Sequence, residues 1–195
     1  SIGPITPMRL TRGGAFYYQT PASFMDVYTA SLDPKTGIVA GPPKKEPLPY
    51  EGHNRWPDWS PDGRLLAYVS VRPTIVGPFA PGRNREWIVS IYSADTGKVR
   101  EFPHDKVFLS PQWSPDGRHL YLLASNMSGR GVYRMDVESG EVAPFLGAGE
   151  NQVVRYFQVS ADRKWMVYGR RSEILRRDAI TGDEKELDRS AGSLG

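Results

Sequence analysis

The sequence predicts an all-β repeat fold, and three observations predict it. The stretch WSPDGRLLAYVS at 59–70 returns almost unchanged as WSPDGRHLYLLAS at 113–125. Glycine (20) and proline (17) are plentiful in 195 residues, which suits many short strands and tight turns better than helices. No apolar 3.6-residue period persists over the roughly ten residues a helix needs. A catalytic motif is needed once, whereas a unit that cannot bury its own apolar face is copied until neighbours cover it.

The elements follow in chain order. A first, worn unit over residues 8–50, LTRGGAFYYQTPASFMDVYTASLDPKTGIV, places turns at Gly13-Gly14 and Thr36-Gly37. The second unit, 51–104, opens on the short strand RWPDW, turns at Ser-Pro-Asp-Gly and resumes as RLLAYVS. Proline supplies a φ near −65° there, and Asp and Gly relax toward positive φ. The apolar strand that follows reads as covered on both faces. WIVSIYSADTGKVREF then forms a second hairpin through Thr96-Gly97. The third unit, 105–150, repeats this as FLSPQW, the turn, RHLYLLAS and GVYRMDVESGEVAPF. The fourth, 151–190, keeps Ser160-Ala161-Asp162 and Thr181-Gly182. Gly97, Gly140 and Gly182 are spaced by 43 and 42 positions, and four antiparallel strands at a period of roughly 40 to 45 residues make a propeller blade. Trp59 and Trp113 are expected to be buried wedges between blades. Gly37 and Gly97 lie 60 positions apart, and the surplus is RPTIVGPFAPGRNRE at 72–86, read as a loop inserted between the second and third strands of its blade.

The pattern WSPDGRxLxYxS followed by xIYxxDxxTGxV resembles the WD-repeat-like blades of the TolB family and of the tricorn and dipeptidyl peptidase propellers. The resemblance covers nearly the whole chain and implies a partial β-propeller of about four blades. Closed propellers of that family carry more, so the expectation is a piece of a longer chain, since SAGSLG stops where a further inner strand would begin. Completion by a second copy, a homodimer closing a propeller, and an uncommon four-bladed ring are the other readings.

Composition narrows the chemistry. The net charge of +3 arises from 25 basic and 22 acidic residues mixed along the chain, too weak a bias to imply nucleic acid. Lys44-Lys45, Arg170-Arg171 and Arg176-Arg177 have acidic neighbours and no interleaved aromatic ladder. No apolar run reaches the roughly 20 residues of a membrane span. No signal peptide is visible, but Ser1 is not a starting methionine, so a signal or anchor can lie outside this stretch. Cysteine is absent, which excludes disulfides, thiolate metal sites and a cysteine nucleophile. Asp62-Gly63 and Asp116-Gly117 lack the spacing of a calcium loop and serve the turns. His53, His104 and His119 form no evident catalytic set, and no Gly-x-Ser-x-Gly occurs. No catalytic residue, metal or cofactor is therefore assigned.

Propeller function usually resides on the rim where inner strands start, and polar and aromatic residues concentrate there as His53, Asn54, Arg55 and Trp56 in one blade and Arg155 and Tyr156 in another. These are the rim candidates, and Arg72, Phe79, Arg83 and Arg85 are the candidates in the inserted loop. The resemblance implies a non-catalytic scaffold for a protein or peptide partner, bacterial and periplasmic or otherwise exported. The alternatives are the gating propeller of a prolyl oligopeptidase-type peptidase whose catalytic domain is absent here and, less favoured, a stand-alone propeller lyase or glycosidase.

Overall fold

A computed structural model describes residues 6–10, 16–19, 25–73, 85–126, 129–147 and 154–189. Among them every regular element is a strand, as the turn-rich sequence requires, and every ladder is antiparallel. The chain divides into two compact units, Ser1–Trp59 with Gly63–Asp105, and Lys106–Gly195 with the short Ser60–Asp62 stretch.

In the first unit β1 (Thr6–Leu10) pairs with β2 (Phe16–Gln19), and β3 (Tyr28–Leu32) with β4 (Val39–Lys45). The Gly13-Gly14 turn lies outside the described residues. A four-stranded sheet follows, ordered β5 (Asn54–Trp59), β6 (Leu65–Pro73), β7 (Arg85–Ser93) and β8 (Val99–Pro103). Leu66 through Val71 are buried without exception, which explains why this strand shows no apolar–polar alternation. Leu66, Tyr68 and Tyr92 pack with Val27, and Leu48, Trp59 and Val99 border them. The ladder between β6 and β7 runs out to Pro73 opposite Arg85. Arg72, Arg85 and Glu86 are thus strand residues rather than loop residues, and residues 74–84, including Phe79 and Arg83, lie outside the described part.

The second unit holds two more four-stranded sheets. One is β9 (Phe108–Trp113), β10 (His119–Asn126), β11 (Gly129–Asp136) and β12 (Val142–Leu146); the other is β13 (Val154–Val159), β14 (Trp165–Arg170), β15 (Glu173–Asp178) and β16 (Glu184–Arg189). Their shared core joins Tyr121, Val132 and Leu146 of the former to Val154, Phe157, Val159, Met166, Tyr168 and Leu175 of the latter. Tyr121 meets Phe157 edge-on at 5.9 Å between ring centroids. Trp113 is fully buried, as a wedge should be, whereas Trp59 is only half-buried.

A side chain stitches these two sheets together. Gln112, buried in β9, donates from Nε2 to the Phe157 carbonyl at 3.1 Å and accepts from the Val159 amide at Oε1, 2.6 Å away. Both polar ends of the amide are satisfied by main chain, which makes its burial tolerable.

Candidate functional site

The start of β5 is shaped by a bend in which Tyr50 (φ 57°) and Gly52 (φ 81°) take left-handed backbone conformations. Asn54 holds that bend. Its Nδ2 donates to the Pro49 carbonyl at 2.8 Å, the Tyr50 carbonyl at 3.3 Å and Asp26 Oδ1 at 3.1 Å, while its Oδ1 accepts from the Ser70 hydroxyl at 2.9 Å. Asp26 also accepts from the Gly52 amide at 2.8 Å and pairs with Lys45 at 3.0 Å. Asn54 is buried and its amide is engaged inside the unit, so its evident role is to position its neighbours. His53 joins the same frame through a bridge to Met25, and its carbonyl accepts from the Val71 amide at 2.9 Å.

One extra residue enters β5 between Arg55 and Asp58, and this bulge re-aims the side chains that follow the bend. Trp56 sits in it with φ 51°, left-handed although it is bulky and precedes Pro57. That backbone is costly, about 1 to 3 kcal/mol, and persists only where surroundings hold it. It belongs to the bulge itself, because Ser110 at the matching place of β9, before Pro111, has φ 48°; beside it Trp56 and Trp87 lie 6.0 Å apart at 19°, and the Arg55 guanidinium stands 5.7 Å from the Trp87 ring centre. Trp87 escaped the sequence reading because it belongs to β7, some thirty positions away; its pairing opposite Val71 brings it to the same end of the sheet.

Arg72 is committed elsewhere in this end of the sheet. It donates to the Tyr50 hydroxyl at 2.5 Å and to Glu101 at 2.7 Å, lies 3.6 Å from Glu86, and covers the Tyr50 ring at 4.9 Å. Burial opposes its charge, but Tyr50 and Glu101 more than offset that and hold the guanidinium protonated.

In the second unit, Arg155 and Tyr156 occupy the matching bulge of β13, between Val154 and Phe157. Tyr156 is 66% exposed, and a Cβ added at Gly169 would meet its ring at 3.5 Å. Each unit contributes its own candidates: Arg55, Trp56 and Trp87 cluster in the first, with His53 in the bend before them, and Arg155 and Tyr156 stand in the second.

The Asp-bearing turns are structural. Asp62, Asp116 and Asp162 each accept from the serine two residues before, at 2.5, 2.5 and 2.6 Å. In the outer hairpins Asp136 accepts from the amides of Ser139 (2.8 Å) and Glu138 (3.0 Å), and Asp178 from those of Thr181 and Ile180 (2.8 Å each). The Ser139 amide and hydroxyl hold the Asp136 carboxyl below the usual range, and the Thr181 and Ile180 amides do the same for Asp178. Among the described residues no three His, Cys, Asp or Glu side chains are grouped to hold a metal ion, and no helix is long and apolar enough to cross a membrane.

No family model matches the chain. The Tol-Pal system protein TolB of Alcanivorax borkumensis is 39% identical over 69 residues, 35% of this chain and 14% of that protein. The uncharacterized peptidase YuxL of Bacillus subtilis is 27% identical over 131 residues, 67% of this chain and 18% of that protein. The solved structure of TolB from Acinetobacter baumannii superposes over 96% of this chain and 44% of its own, with a TM-score of 0.67 at 19% identity. The chain therefore spans less than half the length of each of these relatives. Repeat motif, strand order and superposition agree, and the chain is a partial β-propeller of TolB-like fold.

Proposed function

We propose that the chain is a non-catalytic propeller scaffold that holds a protein or peptide partner at the rim formed by Arg55, Trp56 and Trp87. The observation that carries this reading is the stack of Trp56 on Trp87 beside the Arg55 guanidinium. Trp and Arg are among the residue types that dominate interfaces. The blades are taken as residues 8–50, 51–104, 105–150 and 151–190. Likeness to TolB, whose name places it in the Tol-Pal system, supports a protein partner and a periplasmic or otherwise exported location.

Pull-down from the native extract tests it. Arg55→Ala with Trp87→Ala should weaken capture of the partner at least tenfold, about 1.4 kcal/mol or more, while circular dichroism still reports strand. Tyr156→Ala, made separately, asks whether the second unit's rim contributes. If the double variant binds as the parent does and deletion of residues 74–84 abolishes binding, the inserted loop and not this rim carries the function.

A second reading, the gating propeller of a prolyl oligopeptidase-type peptidase, is favoured by the match to YuxL, which covers more of this chain than the match to TolB of Alcanivorax borkumensis. A Gly-x-Ser-x-Gly elbow with following Asp and His downstream in the gene would select it.

A further inference from the structure

Two hydroxyls in the core of the first unit are buried with no hydrogen-bond partner among the described residues. They are the Tyr68 OH on β6 and the Ser90 Oγ on β7, in residues that are both 0% exposed and directly opposite each other across the ladder. A hydroxyl left alone at such a depth is costly, and native chains keep few of them. A third hydroxyl stands beside the pair. Burial pushes the Tyr68 phenol up, and Ser90 and Ser70 lie close enough to draw it part of the way back. Ser70, also 0% exposed, gives its proton to Asn54 Oδ1 at 2.9 Å and so has only lone pairs left to offer.

The polar character of this place belongs to one sheet and not to the blade. Counted from the Ser-Pro-Asp-Gly turns, Asn54, Tyr68 and Ser70 correspond to Phe108, Leu122 and Ala124 of the sheet β9 to β12, and Ser90 opposite Tyr68 corresponds to Tyr133 opposite Leu122. Phe108, Leu122 and Ala124 are buried as deeply, at 2, 0 and 1% exposure. The space that two rings fill in that sheet is here shared by one ring, a short amide and two hydroxymethyl groups. Two hydroxyl donors and one hydroxyl acceptor therefore converge, and the group that answers them must both accept and donate. Water does. An anion would meet the Glu101 carboxylate, which lies opposite Ser90 and already bears on Tyr68, and a metal ion asks for about six oxygens. We propose that Tyr68, Ser70 and Ser90 bind one ordered internal water, which accepts from the Tyr68 and Ser90 hydroxyls and donates to Ser70 Oγ. Through Ser70 that water is tied to Asn54, whose amide holds the bend before Arg55.

A crystal structure of the 195-residue chain, at a resolution that shows waters, and urea denaturation of three variants test it. The expected map has a peak within about 3 Å of both the Tyr68 and the Ser90 oxygen. Tyr68→Phe and Ser90→Ala should each raise the unfolding equilibrium constant about tenfold. The double variant should raise it by clearly less than the product of the two, because both act through one molecule. A map in which Tyr68 and Ser90 bond each other directly, with no water between them, overturns the proposal. So does a Tyr68→Phe variant as stable as the parent, which would mean that the hydroxyl stands alone, and so do two effects that simply multiply.

Discussion

Arg163 stands where the two sharp repeats have Gly63 and Gly117, and it adopts the same left-handed backbone, φ 60° against 75° and 69°. For a side-chain-bearing residue this costs about 1 kcal/mol or somewhat more. The side chain returns more than that: Arg163 donates from Nη1 to the Trp113 carbonyl at 2.9 Å, a charge-assisted bond worth about 1.5 to 3 kcal/mol. Glycine would also give the unfolded chain greater freedom, about 0.4 to 1 kcal/mol. Arg163→Gly should therefore destabilise by about 1 kcal/mol in urea denaturation even though it restores the consensus residue of the turn; a stabilised variant would show that the strain outweighs the bond. The candidate site illustrates the same balance. Arg55 and Trp56 were legible as a local concentration of interface-type residues, but Trp87 was not, because ring stacking across strands depends on register rather than on sequence proximity. Asn54 was legible only as a polar residue near the rim. Its burial, with four hydrogen bonds to main chain and neighbouring side chains, depends on a bend whose partners include Asp26.

At the scale of the element, the hairpins explain themselves through one carboxylate each. Asp33, Asp136 and Asp178 precede the outer turns and receive main-chain amides, and all three titrate lower in the folded chain than the ordinary value near 3.9. A depressed carboxylate adds stability that is fully present above the unfolded value and is lost as pH falls through the folded one. Melting temperature should hence fall on acidification below about pH 4. Asp136→Asn with Asp178→Asn should flatten that acid limb, and a limb of unchanged steepness would assign acid sensitivity to other groups. The strand–turn–strand order of these hairpins was readable because their turn residues carry their own geometry. The edges of the inserted stretch were not: Arg72 and Arg85 look like loop in a Pro- and Gly-rich context, and only the long ladder between β6 and β7 draws them into strands.

For the molecule as a whole, the duplicated motif made the all-β class legible, since a repeat of that length has few ways to bury its apolar faces. Far-ultraviolet circular dichroism should show strand with little helix, and a helical fraction near one third would contradict the structure. The degree of repetition differs sharply between units, however. The sheet β13 to β16 has Val159 in place of the tryptophan and Ala161 in place of the proline, yet it shares a core with its predecessor in which Val159 and Met166 are buried. The reason lies in what Gln112 grips. It binds peptide groups, which every strand owns, and reads no side chain. A junction anchored in this way keeps its polar contact whichever side chains the next strand carries, and leaves only the apolar packing around it to follow a change of sequence.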